Sequence, residues 1–188
     1  EVSTGAEVDK TGALTITSTD WMATMSAGYL IFVNGVDTPI SYDGTTAAAA
    51  GFTGPADVKK FINVANYKET IYLVEKDTCK FWYGGLQAVT GATVAYDMKY
   101  YFKLGGFLVF AGSWTNQTAS TSTDLFFTCS SEGELIFFSG TRPDGTWGAV
   151  ARYVIGKPLG YRAFIQVEND VWIITEQGIV PVSSLFSG

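Results

Sequence analysis

Histidine is absent from the 188 residues. That removes the commonest general base and metal ligand, and with it the Ser-His-Asp and Cys-His catalytic arrangements. Two cysteines occur, Cys79 and Cys129, without CxxC spacing. They are too few for a structural zinc cluster or a disulfide-dependent scaffold, and each is expected as a buried or half-buried free thiol. Lys and Arg total 12 against 18 Asp and Glu, and the densest basic pair is Lys59-Lys60. No basic stripe exists to displace counterions from phosphates, so specific nucleic-acid recognition is not expected. The longest apolar runs, such as Gly28 to Val33, fall far short of the 18 or so residues that span a bilayer, so no membrane insertion is expected. No charged start followed by an apolar stretch marks a signal peptide. No GxxxxGK[ST] phosphate cradle is found. The first residue is Glu1 and not Met, which reads as a fragment or a processed product of a longer protein.

What is abundant points one way. Aromatic residues make up 15 % and charged residues 16 %, and there are 21 glycines. Aromatic and β-branched side chains fit a pleated, half-buried surface, and glycine fits tight turns. Four segments share a pattern of apolar strand, polar turn and second apolar strand: Gly28 to Gly44, Glu69 to Gly85, Asp124 to Gly140 and Asp170 to Ser183. They recur at about the 40–50-residue period of propeller blades. A candidate strand precedes each hairpin, at Trp21 to Met25, Lys59 to Ala65, Tyr101 to Phe110 and Tyr161 to Val167. Outer strands fit at Thr93 to Met98 and Ala149 to Ile155. Runs such as Ile71 to Val74 and Val171 to Ile174 are continuously apolar, as in strands covered on both faces. Ala47 to Ala50 reads as a loop, and the polar tract Asn116 to Thr123 as an inserted surface loop. The expectation is one all-β domain over residues 1–188, a β-propeller of about four blades or a propeller fragment. A β-sandwich is the rival architecture.

Three candidate chemistries deserve weighing. Ten carboxylates, from Asp37 and Asp43 through Glu75, Asp77, Asp124, Glu132, Glu134, Asp144 and Asp170 to Glu176, fall at turns and strand edges. Local backbone hydrogen bonding accounts for such positions as well as a glycosidase pair would. Trp21, Trp82, Tyr83, Trp114, Trp147 and Trp172 read either as packing anchors or as sugar-stacking platforms. Arg142-Pro143-Asp144-Gly145-Thr146-Trp147 resembles the aspartate turn of sialidase propellers, although glycine here follows the aspartate directly. A sialidase-like site would also need Arg142, Arg152 and Arg162 to converge. Asn116-Gln117-Thr118 is formally a glycosylation acceptor. No catalytic, cofactor-binding or metal-binding residue is assigned, and the chain is expected not to be an enzyme.

A collinear set of phrases carries a resemblance. Asn34-Gly35-Val36-Asp37-Thr38-Pro39-Ile40-Ser41-Tyr42-Asp43-Gly44 is similar to a phrase common in tail proteins of short-tailed bacteriophages. So are Trp82-Tyr83, Gly105-Gly106 and Trp114-Thr115. Ser131-Glu132-Gly133-Glu134, followed by Phe138 to Thr141 and Pro143, and Tyr153 with Ile155 to Ala163 continue the match. Asp170-Val171, Thr175-Glu176, Gly178 and Pro181 to Ser183 close it. The resemblance implies a tail-tube or nozzle component below the portal and its adaptor, built around a β-propeller and without cofactor. It further implies partners among the portal-side and tail-side virion proteins and a homo-oligomeric ring around the DNA channel. The protein would be made late in the host bacterial cytoplasm and reside in the virion tail. This stretch alone is compatible with a monomer. An extracellular carbohydrate-binding or sialidase-like propeller is the alternative.

Overall fold

A computed structural model describes residue 12 and residues 14–117 and 122–186. Four antiparallel sheets follow one another along the chain. The first pairs β1 (Met22–Ser26), β2 (Tyr29–Val33), β3 (Ile40–Tyr42) and β4 (Ala47–Ala49) in sequence order. Next come β5 (Phe52–Thr53), β6 (Phe61–Tyr67), β7 (Thr70–Glu75), β8 (Lys80–Leu86), β9 (Gly91–Ala92) and β10 (Val94–Asp97). Strands β6, β7, β8 and β10 form the second sheet, while β5 and β9 pair in parallel beside it. The third holds β11 (Leu108–Gln117), β12 (Ser122–Ser130), β13 (Glu134–Gly140) and β14 (Trp147–Val154). The last has β15 (Phe164–Val167), β16 (Asp170–Thr175) and β17 (Gly178–Pro181), followed by the single helical turn α1 (Val182–Leu185). Consecutive up-and-down sheets stacked face to face make a four-blade β-propeller arrangement.

Two-residue turns join the first and second strands of blades 1 and 2. Ala27 and Gly28 have φ of 46° and 83°, and Lys68 and Glu69 have 47° and 60°. Paired positive φ values match the right-handed twist of the flanking strands, which fixes the register without a long loop. The first strands are innermost: β1 packs on β6, and β6 on β11. Six of the seven residues of β6 are buried. The Asn63 side-chain oxygen accepts the Ala111 amide at 3.1 Å, tying the inner strands of blades 2 and 3.

The second strands set the stacking. Their apolar tetrads are Leu30-Ile31-Phe32-Val33, Ile71-Tyr72-Leu73-Val74, Phe126-Phe127-Thr128-Cys129 and Val171-Trp172-Ile173-Ile174. Because side chains alternate along a strand, first and third residues share one face and second and fourth the other. Ile31 and Val33 meet Ile71 and Leu73 in one core. Tyr72 and Val74 meet Phe126, with Ile136 and Phe138 from β13, in a second. Phe127 and Cys129, with Leu135 and Phe137, meet Val171 and Ile173 in a third. In every tetrad the first and third residues therefore face the preceding blade, and the second and fourth the following one. Among the described residues the four blades share three buried cores, and no buried core joins blade 4 to blade 1.

Several expectations need correction. Ala47 to Ala49 is not a loop but the outer strand of blade 1, paired with β3. Asp43 accepts the Thr45 and Thr46 amides at 2.8 and 2.7 Å, and the Tyr42 hydroxyl donates to the Gly44 carbonyl at 2.6 Å. That turn returns the chain along β3, and pairing then overrides the helix preference of alanine. The strand expected at Tyr101 to Phe110 starts only at Leu108. Tyr101 and Phe102 instead donate backbone hydrogen bonds to the Met98 carbonyl, and Gly105 and Gly106 have φ of 78° and 84°. The tract Asn116 to Thr123 is not an insertion between units: Asn116 pairs with Thr123 and Gln117 with Ser122 inside blade 3. Residues 118–121 of that tract, including Thr118 of the glycosylation acceptor, lie outside the described residues. The run Val171 to Ile174 is covered on one face only, since Trp172 and Ile174 keep 38 % and 40 % of their surface exposed. Both cysteines are free, with Cys129 buried and Cys79 half-buried.

If the inter-blade cores hold the fold, Phe126→Ala lowers unfolding free energy by about 3–5 kcal/mol. Val150→Ala on exposed β14 changes it by no more than about 0.5 kcal/mol. Urea denaturation of the two variants checks the contrast.

Candidate functional site

A polar concavity opens where the blade hairpins converge on the axis. It has a volume of about 420 Å³ and is lined by Ser18, Asp20, Asn34, Val36, Ile62, Lys76, Leu159, Tyr161 and Arg162. Those residues come from the entries to β1 and β15, the exits of β2 and β7, and β6 itself. Arg162 holds Asp20 at 2.5 Å and donates to the Trp21 carbonyl at 3.4 Å. Tyr161 donates to Asp77 at 3.1 Å. Burial, and then that carboxylate, raise the Tyr161 phenol above its ordinary range, so it is a neutral hydrogen-bond donor.

One wall is a knot made by the Asn34 to Asp37 phrase. The Asn34 side-chain oxygen accepts the Val36 and Asp37 amides at 3.0 and 2.7 Å. Asp37 accepts the Thr17 and Ser18 amides, the Thr17 hydroxyl and the Asn34 side-chain amide, at 2.5 to 3.0 Å. The Thr17 hydroxyl leads those donors in holding the carboxyl far below the usual range. Gly35 has φ of 77°, and a Cβ there would lie 2.5 Å from Ile62 Cγ2. A larger residue would push the turn off blade 2. Asp37 is thus a clasp fastening residues 17–18 to blade 1.

A second knot is built around Glu134, whose side chain is fully buried. It accepts the amides of Lys103 and Leu104 at 2.8 and 2.6 Å and Arg152 Nε at 2.9 Å, and it also meets Arg152 Nη2. Burial pushes its carboxyl up, but Arg152 and the two amides outweigh burial and the net displacement is downward. Beside it the Ser130 hydroxyl accepts the Glu132 and Glu134 amides, and Lys157 pairs with Glu132 at 2.6 Å. This knot joins the blade 2–3 linker to blade 3 and to the approach to blade 4.

The structure separates the three arginines. Arg142 forks onto Asp144 at 2.6 and 2.7 Å in the β13–β14 turn. Arg152 lies five residues beyond Trp147 on β14, about 17 Å away at strand rise, and holds Glu134. Arg162 is at the axial concavity. Each arginine has its own carboxylate, and no convergent triad forms. Of the six aromatics weighed above, Trp114 and Tyr83 are buried. Trp147 stacks on Phe138 at 5.1 Å, Trp21 meets Phe32 edge-on at 6.2 Å, and Trp82 donates to Glu75 at 2.8 Å. Trp172 alone of them lies on an open sheet face. No group of three potential metal ligands occurs among the described residues.

Asp20 and Lys76 of the axial concavity carried no signal in the sequence, because each stands alone in a polar stretch. Tyr161 fell inside one of the family-like phrases without a role of its own, and Arg162 carried a role only as one of the three arginines of a sialidase-like site.

No family model and no curated protein matches this chain. A solved structure described as YCF48 bound to D1 peptide is similar over 84 % of this chain and 47 % of its own, at 14 % identity and a TM-score of 0.46. The chain therefore spans about half the length of that protein.

Because the Glu134 carboxyl ionises at lower pH folded than unfolded, its stabilisation is complete above the ordinary glutamate value of about 4.3. It is lost as pH falls through the lowered value. Replacing Glu134 by Gln is expected to cost about 2–3 kcal/mol near neutrality, with a gap that narrows below pH about 4. Thermal unfolding of both proteins across that range is the check; a gap independent of pH contradicts the assignment.

Proposed function

We propose that this chain is a structural module of a short-tailed bacteriophage tail tube or nozzle, acting through protein–protein contact beside the DNA path. The observation that carries the reading is where the collinear phrases fall. Asn34 to Asp37 clasps the chain entering blade 1, and Tyr42-Asp43-Gly44 turns β3 into β4. Ser131 to Glu134 knots blade 3 to the linkers on both sides, and Tyr161-Arg162 reaches the axial end. Residues that resemble one family in order are the ones that fix blade geometry here.

Charge supports the same reading. All three arginines are engaged by carboxylates, and the formal net charge is −6. Guanidinium forks already closed on carboxylates are poor phosphate clamps. A wall beside passing DNA works best when it does not grip the backbone.

The test is localisation in particles. Antibody raised against this chain should label the portal vertex of virions in the lysate of the producing host, and its peptides should co-purify with portal peptides at a fixed ratio. Particles without label or peptides, combined with glycan-array binding abolished by Trp172→Ala, would replace this reading with the carbohydrate-binding one.

A further inference from the structure

Asn34-Gly35 is the only asparagine–glycine pair in the 188 residues. Glycine has no Cβ to keep its backbone nitrogen away from the preceding side chain, so this pair is open to a reaction that bulkier successors hinder. The Gly35 nitrogen gives its proton to solvent base and attacks the Asn34 side-chain carbonyl carbon. A C–N bond closes a five-membered imide, the bond to the side-chain nitrogen breaks, and that nitrogen takes up a proton and leaves as ammonia. Water then opens the ring at either carbonyl and leaves an aspartyl or isoaspartyl residue. Water is the only co-reactant.

The Asp37 clasp holds the reacting atoms away from that path. The Gly35 amide donates to the Phe61 carbonyl at 2.7 Å, so the attacking nitrogen is tied to blade 2 with its proton engaged. The Asn34 side-chain oxygen is held by the Val36 and Asp37 amides, and its nitrogen donates to Asp37 Oδ2 at 2.8 Å. Attack needs the Gly35 nitrogen freed from Phe61 and the amide plane freed to turn its carbon towards that nitrogen. The same contacts decide what the product does. A carboxylate in place of the Asn34 amide removes a donor from Asp37 and sets a second negative charge against it, which is unfavourable at that separation. Asp37 is what fastens the Thr17 and Ser18 amides, and the same segment carries Asp20 to Arg162. Ser18 and Asp20 wall the axial concavity, and Thr17 walls a second one of about 350 Å³.

We propose that Asn34 is a spontaneous deamidation site gated by this clasp: it reacts only when the clasp opens, and its product keeps the clasp open. Loss of ammonia makes the change one-way, so the turn is a latch that records its own opening. Residues 17–20 then lose their hold on blade 1, and both concavities lose a wall. The inference rests on the clasp and not on the tail reading, and each stands if the other falls.

Peptide mass spectrometry of the purified chain, aged at mildly alkaline pH with and without guanidinium chloride, tests it. Asn34 should deamidate at least about tenfold more slowly in the folded chain than in denaturant, because only the open fraction reacts. Asp37→Asn, which keeps the size of the side chain and weakens the clasp, should speed the reaction of the folded chain severalfold. Asn34→Asp supplies the product directly, and it should raise hydrogen exchange at the Thr17 and Ser18 amides while β7 and β12 stay protected. Equal rates in the folded and denatured chain, an Asp37→Asn chain that reacts no faster than wild type, or Thr17 and Ser18 amides as protected in Asn34→Asp as in wild type would each overturn the proposal. Circular dichroism shows whether Asp37→Asn is folded; if it is not, the denaturant comparison and Asn34→Asp decide.

Discussion

Burial of the second strand on both of its faces is the constraint on which the rest of the structure depends. A strand offers only alternation, so a run of four apolar residues has two on each side, and both sides need a partner. Stacking such strands radially satisfies all but the outermost faces. Tyr72 and Phe126, with ring centroids 4.4 Å apart, show how closely neighbouring sheets approach. Tyr67, Phe81, Phe138 and Trp147 complete that aromatic layer, and burial raises the Tyr67 phenol to about 12.

Polar chemistry is spent at the junctions between blades. Asp37 secures the entry to blade 1, Glu134 the passage into blade 3, and Asp170 the close of blade 4 against α1. Glycine matters where backbones come close. Gly35 sits against Ile62, and Gly133, at φ 81°, lies against the chain at Ile155 and Gly156. A carboxylate that already accepts three or four hydrogen bonds is a fastening and a poor general base.

Hairpins were legible because their signals are local: an apolar tetrad, a polar turn, a second apolar run. All four fall on paired strands, and Val94–Asp97 and Trp147–Val154 sit within a few residues of their expected outer strands. Ala47–Ala49 was hidden because short alanine runs carry no strand signal, and pairing with β3 decides it. Asn116 and Gln117 were misread because polar residues at the tip of a long hairpin look like a loop. The exposed face of Val171 to Ile174 was illegible for a different reason. A fully apolar tetrad states that both faces want cover, and says nothing of whether this chain supplies it. The axial concavity was hardest to foresee, since Asp20, Lys76 and Arg162 are far apart in sequence and meet only where the axial ends of three blades converge.

The central claim is that the inner blades are held on two faces and the end blades on one. Hydrogen exchange of the chain, resolved by strand, tests it most directly. Amides of β7 and β12 should exchange only through global unfolding, while those of β2 and β16 open at lower free energy. Equal protection of all four second strands would mean a fourth core closes blade 4 on blade 1, and the three-core arrangement described above would be wrong.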